Sequence, residues 1–384
     1  MAILGFFFWI INARLYSTEQ VGIATTLISI VTLISTFSLL GLNSGIVRYL
    51  STSKRKNQKI NTSFALVALA STLIALIYLI FINKFSPKLL FVKENVFFAI
   101  LFVLFVVFSS LNIISENVFI AYRSSKYILI KNTISSFVKL VLPIVLISLG
   151  AYGIFTSVGV AIIVGFVLSL IFLVFKFEYL IKPTINCEVV KRMAKFSLGN
   201  YVAGFIGGLP VLILPIIILN NLGAKFSAYF YMDMMIVNLL YIIPSAISQS
   251  LFAEGSYSGT KLKEHLKKAL AINFLILIPV IIITFFFGKY ILIAFGKQYS
   301  EEGFMLLQLL AISSIFISIN SIFGSILRVK HKIKELIIIS FIGALLILGL
   351  SYFLISKELL GIGIAWIIGN MVVSGIYLAF SLRR

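Results

Sequence analysis

VFFAILFVLFVVFSSLNIIS (Val96–Ser115) runs for twenty residues without a charge. As a helix it rises about 30 Å, the thickness of a bilayer's hydrocarbon core. A helix apolar on every face is buried in a large core or in lipid, and composition decides between the two. Of 384 residues, 61% are hydrophobic and 11% charged, with a mean hydropathy of +1.13; a soluble domain is about half apolar and a quarter charged. The chain therefore reads as an all-α polytopic membrane protein. Working outward from 96–116, further spans are expected near 21–43, 62–82, 127–149, 154–175, 197–219, 227–250, 269–287, 303–326, 336–355 and 361–381. A twelfth apolar stretch, Met1 to Ala13, rises only about 20 Å. It has no basic lead-in or cleavage site of a signal peptide and reads as the second half of a helix.

The formal charge of +20 does not point to nucleic acid, because the lysines cluster in short gaps between apolar runs. Loops that stay in the cytoplasm retain Lys and Arg. If the loop after 21–43 is cytoplasmic, 23 of the 32 Lys and Arg fall on that side, eight on the other, and Lys139 within a span. The cytoplasmic set includes Lys131 and Lys54. This bias predicts a multi-pass protein of the plasma membrane with both termini cytoplasmic. One cysteine, Cys187, rules out an internal disulfide, and His265 and His331 both lie in basic loops. No metal or cofactor is expected.

Transporters are often built from repeated halves. A shift of 206 brings YSTEQVG (16–22) onto LGAKFSA (222–228) and Arg48 onto Glu254. A shift of 205 brings Arg123 onto Arg328 and Lys139 onto Ala344, while AYGI (151–154) faces LLGI (359–362) at a shift of 208. Loop lengths and the basic side stay in step throughout. The expected organisation is an N-terminal six-helix lobe (1–176, first helix incomplete), a cytoplasmic linker (177–195) and a C-terminal six-helix lobe (196–384). The repeat also leads to the expectation that the first helix is abbreviated, or that the natural protein begins about 15 to 25 residues earlier.

Several of these residues carry a resemblance. RLYSTEQVGIATTLISIVTLISTFSLLGLNSGIVRYLS (14–51), AYRSSKY (121–127) and GAYGI (150–154), with LGAKFSAYFYM (222–232) and IPSAISQSLFAEGS (243–256) in the second half, resemble the Wzx-like oligosaccharide flippases of the MOP superfamily. The resemblance implies two six-helix lobes around a central cavity. These would move a lipid-linked oligosaccharide from the cytoplasmic to the outer leaflet by alternating access, among membrane lipids and with H+ or Na+ as candidate coupling ions.

Two charges stand well inside the expected spans, Lys139 and Asp233. Burying a charge at mid-bilayer costs at least about 2.5–3.5 kcal/mol, so such residues face a cavity or a partner. Lys139 either pairs with a carboxylate such as Glu116 or Asp233, or faces water and holds anionic cargo. Pro143, four residues on, leaves the Lys139 carbonyl without its helical donor. Asp233, in YFYMDMM, is either an interfacial carboxylate bonded to nearby tyrosines or an ion-coupling group. Arg48, Arg123 and Arg14, at helix ends, satisfy the charge bias by position alone and also have the fork geometry that suits pyrophosphate. Two other functions fit the sequence less well. A MATE-like cation or drug antiporter would favour intramembrane carboxylates over a lysine. A membrane glycosyltransferase or polymerase needs a carboxylate pair for acid–base work, and the outer pair Glu301–Glu302 reads instead as the cap of a helix. The chain is expected not to be an enzyme.

Overall fold

The computed structural model describes residues 2–53, 55–182, 184–257 and 262–382; the side chains of 2, 187–197, 257 and 382 lie outside that description. So do Lys54, Lys191, Arg192, Lys195, Lys261, Arg383 and Arg384, all assigned above to the basic side. The described residues contain no strand. In chain order the helices are α1 (Ala2–Leu15), α2 (Thr18–Phe37), α3 (Leu42–Tyr49), α4 (Lys56–Ile80), α5 (Ile82–Phe85), α6 (Phe91–Glu94), α7 (Val96–Ala121), α8 (Ser125–Val145), α9 (Ala151–Phe177), α10 (Cys187–Asn221), α11 (Ala224–Tyr257), α12 (Leu262–Ile293), α13 (Lys297–Glu302), α14 (Phe304–Val329), α15 (Ile333–Phe353) and α16 (Glu358–Leu382). Eleven described helices are long and apolar enough to cross a membrane, and a shorter apolar one covers residues 3–15. Large side chains such as Leu275 and Phe286 on α12 and Phe353 on α15 lie mostly exposed, as lipid-facing residues must.

Two differences from the sequence expectation stand out. The span expected at 21–43 is two helices: α2 stops at Phe37, and Leu40 (φ 50°) and Gly41 (φ 78°) turn the chain through left-handed conformations before α3. Gly41 makes that turn cheap, because it lacks the Cβ that penalises positive φ. Glu301 and Glu302 do not cap α14. They end α13, where Glu301 pairs with Lys297 at 3.5 Å, and the N-cap of α14 is Gly303.

The chain divides into two compact units, Met1–Phe205 and Ile206–Arg384. In the first, Leu39, Ile46, Ile60, Val118, Phe119, Leu173 and Tyr179 form one core cluster. In the second, Leu240, Leu277, Ile281 and Ala311 do the same. The start of α10 goes with the first unit: the Tyr201 hydroxyl donates to the carbonyls of Thr36 (2.9 Å) and Phe37 (2.7 Å), and Phe205 packs on Phe37. The stretch leading to it is also held there. Asn61, nearly buried on α4, donates to the Leu180 carbonyl at 2.8 Å. Its own oxygen accepts from the Tyr179 hydroxyl (2.6 Å) and the Lys182 N–H (3.1 Å). Asn186 N–H donates to Thr62 at 3.3 Å.

The backbone repeats between the units with an offset of 208. After α7, Arg123 (φ 54°) donates its N–H to Ile120 and Ser124 to Phe119; after α14, His331 (φ 55°) donates to Arg328 and Lys332 to Leu327. Following α8, a 3-10 turn over Ile147–Leu149 ends at Gly150 (φ 56°, ψ −134°). Following α15, one over Ile355–Lys357 ends at Glu358 (φ 51°, ψ −138°). A Cβ at Gly153 would collide with the Leu146 carbonyl, and one at Gly361 with that of Leu354. The counterpart of Arg123 is thus His331 rather than Arg328, and Lys139 falls opposite Ile347 rather than Ala344. The offset of 205 rests on sparse identities such as Arg123 with Arg328, which arise by chance, whereas a recurring positive φ does not.

Candidate functional site

Lys139 lies in α8 against α1. Its ammonium sits 4.1 Å from the centroid of the Phe8 ring and 5.9 Å from that of Trp9. Both rings are nearly buried and meet edge to face at 4.9 Å. One turn on, buried Asn12 donates to the Phe8 carbonyl at 2.7 Å. Tyr16, just past α1, donates its hydroxyl to the Pro143 carbonyl at 2.5 Å and so ties α1 to α8 across the proline turn. A capping box then starts α2: Ser17 Oγ accepts from Gln20 N–H and Gln20 Oε1 from Ser17 N–H. No carboxylate of its own unit among the described residues lies within ion-pair distance of Lys139, so the pairing with Glu116 is not formed; Asp233 belongs to the other unit. A desolvated cation–π contact is worth about 2 kcal/mol, against the ~2.5–3.5 kcal/mol cost of a mid-bilayer charge. The aromatic face offsets most of that cost but leaves the charge unneutralised, on a side chain that is only half-buried.

Glu116 is engaged elsewhere. Lys131, counted above among loop cations, is fully buried in the second turn of α8, with Nζ 2.9 Å from Glu116 and 2.5 Å from Asn112 Oδ1. Asn132 donates to the same Glu116 oxygen at 3.1 Å. This second intramembrane cation escaped sequence reasoning because it lies near a span end, where basic residues are ordinary. The signal was in α7: Asn112 and Glu116, four apart, share one helix face.

Asp233 stands in the other unit, about 14 Å along α11 from its start. It is completely buried, and neither carboxylate oxygen has a hydrogen-bond partner among the described residues. It is therefore bonded to no tyrosine among the described residues, although Tyr229, one turn earlier, packs edge-on against Tyr299. Gly303, at the head of α14, leaves the room for this carboxylate: a Cβ there would come within 3.0 Å of both oxygens.

The three arginines are exposed. Arg14 ends α1, on the helix that supports Lys139. Arg48 ends α3, with its guanidinium 5.7 Å from the Tyr49 ring, and Arg123 follows Tyr122 just beyond α7. Tyr49 and Tyr122 pack on the same cluster, so Arg48 and Arg123 share one end of the first unit. Arg14 lies about 9 Å along α1 from Phe8, which Lys139 faces, and Asp233 belongs to the other unit. No group of three or more His, Cys, Asp or Glu suited to a metal ion occurs among the described residues.

A repeated bundle of membrane-length helices with charges held inside its units defines a multi-pass membrane protein. Residues 11–303 match the model of the family described as polysaccharide biosynthesis protein, and the chain belongs to that family. A putative O-antigen transporter of Shigella flexneri is 30% identical over 183 residues, 47% of this chain and 44% of the relative; the chain thus spans under half of that protein's length. A membrane protein of Methanocaldococcus jannaschii is 25% identical over 85% of this chain and 80% of its own. Among solved structures, the lipid II flippase MurJ in an inward closed conformation superposes with a TM-score of 0.77 at 16% identity, covering 100% of this chain and 86% of that one. An inward-facing multidrug resistance MATE family transporter of the MOP superfamily gives 0.76 at 15%, covering 99% and 93%. At such identities these two establish the fold alone.

Proposed function

We propose that the protein is a flippase that moves a lipid-linked oligosaccharide, carried on a polyprenyl pyrophosphate, from the cytoplasmic to the outer leaflet of the plasma membrane by alternating access. The carrying observation is the Lys139 ammonium, cushioned by Phe8 and Trp9 and within ion-pair distance of no carboxylate among the described residues. An uncompensated cation at mid-depth attracts an anion crossing the membrane. A diphosphate supplies about two negative charges, each gaining roughly 2.3 kcal/mol per 100 mV when it moves outward across an inside-negative membrane. Arg14, Arg48 and Arg123 are assigned to contact the same anion at either end of its path. Family membership and the O-antigen transporter relative support this cargo class, and the basic-loop bias supports cytoplasmic termini. A cation extruder fits less well, because Lys139 repels its cargo.

Asp233 is assigned to ion coupling. A proton neutralises a buried carboxylate with no further ligand, whereas Na+ needs several oxygens around it, so H+ is favoured over Na+.

The test compares translocation of labelled lipid-linked sugar in Lys139→Arg, Lys139→Ala and Lys139→Glu made at equal membrane levels. Arg is expected to retain most transport, Ala to lose about tenfold or more, and Glu to lose nearly all. Equal transport by all three refutes the anion-holding role.

A further inference from the structure

A second cationic feature lies apart from Lys139, at the end of the first unit where α7 and α9 terminate. A recess of about 720 Å³ opens there between the start of α4, Tyr122 and the exit of α9, lined by Arg55, Lys56, Gln58, Tyr122, Phe177 and Glu178, among others. We infer that this recess is a binding site for a phosphate-bearing anion at the membrane interface. The transport reading above uses Arg48 and Arg123 of this end but leaves Arg55 and Lys56 unassigned.

Three observations carry the inference. First, the cations are available: neither Arg55 nor Lys56 has an ion-pair partner among the described residues, and both side chains are exposed. The Lys56 ammonium stands 5.4 Å from the centroid of the Tyr122 ring, which directs its charge toward the recess that Tyr122 lines. Second, the wall is firm. Tyr122 stacks on Phe177 with centroids 4.5 Å apart and planes at 22°, and both pack on the core cluster of the unit. A preformed wall lowers the ordering cost of binding. Third, the level is right: the apolar helices Val96–Ala121 and Ala151–Phe177 both end here, which sets the recess at the depth of lipid headgroups rather than acyl chains. The volume lies in the range of small-ligand sites and admits a phosphate with a glycerol-sized or sugar-sized substituent.

Recognition would rest on two cations with one amide donor beside them. Asn57, also in the lining, gives its Nδ2 to the Glu178 carbonyl at 3.5 Å, so the amide left to the ligand is Gln58. Glu178 is the one acidic residue in the lining. It opposes an anion and so limits affinity. Two sources offer the same chemistry, the headgroup of an anionic phospholipid and a soluble phosphate or diphosphate.

The experiment uses the full chain. Native mass spectrometry counts bound phosphatidylglycerol after extraction from vesicles of phosphatidylglycerol and phosphatidylcholine, and thermal shift in detergent is titrated with inorganic pyrophosphate. The Arg55→Gln/Lys56→Gln double variant is expected to weaken one bound anion at least tenfold, and Glu178→Gln to tighten it several-fold. Lys334→Gln, an exposed lysine of the other unit, should change neither. A loss confined to phosphatidylglycerol identifies a lipid headgroup, a loss confined to pyrophosphate a soluble anion, and loss of both a site for either. Unchanged binding in the double variant, or an equal loss in Lys334→Gln, overturns the site. A double variant that fails to elute as the parent does leaves Glu178→Gln to decide: no gain in affinity there overturns it as well.

Discussion

Replacing Glu116 with Gln tests the buried pair that holds α7 to α8. Lys131 is wholly enclosed, whereas the Glu116 side chain is 31% exposed. Removing one partner of a buried pair costs about 3–5 kcal/mol, mostly because the remaining charge is stranded. A glutamine oxygen still accepts a hydrogen bond from the ammonium, which returns about 1–1.5 kcal/mol. The expected loss is therefore about 2–3 kcal/mol. Spread over a unit of some 205 residues, at roughly 2–4 °C per kcal/mol, the apparent Tm of the detergent-purified protein falls by about 4–12 °C. Lys131→Met should behave differently, since it strands only the partly exposed Glu116, which keeps its bond from Asn132; about 1 kcal/mol or less is expected. The double variant Lys131→Met/Glu116→Gln should recover most of the loss. Tryptophan-fluorescence melting of the four proteins reads all of this. If Lys131→Met is the more damaging single change, or Glu116→Gln melts with the parent, then Lys131 is not a buried charge neutralised by Glu116.

Three further outcomes follow from the backbone. Glu358→Gly should raise the apparent Tm: a side chain at φ 51°, ψ −138° costs about 1–3 kcal/mol, and losing an acid from the first turn of α16 returns only about 0.3–1 kcal/mol. Gly153→Ala should cost about 1–3 kcal/mol by overpacking, because the new methyl would collide with the Leu146 carbonyl and come within 2.7 Å of the Tyr16 hydroxyl; a melting point within 1 °C of the parent would contradict the close approach. Asn61→Ala removes three hydrogen bonds around residues 179–182, and hydrogen exchange at the Lys182 amide should quicken at least tenfold while that in α14 is unchanged.

The spans were legible because lipid imposes a length and a composition that irregular backbone cannot satisfy. Lys139 and Asp233 stood out for the same reason. What surrounds them was not legible. The aromatic support for Lys139 comes from α1, a segment too short to read as a full span, and contact between Phe8 and Lys139 leaves no trace in periodicity. Lys131 was hidden by the positional rule that makes basic residues near span ends unremarkable. The break between α2 and α3 fell inside an apolar run, LLGLN, in which one glycine was the only mark. The repeat register was blurred because hydrophobic residues replace one another freely, and it was recovered from backbone conformations that side chains resist.

The bonds from α4 to residues 179–186 bear on the connection between α9 and α10, which lies wholly inside the first unit. Surface connections are usually slack, which is why they tolerate cleavage and added length. Here Tyr179, Leu180, Lys182 and Asn186 are docked on α4, so a cut within 179–182 would remove anchored backbone instead of a spacer, and a flexible insert there would undo anchoring rather than lengthen a leash.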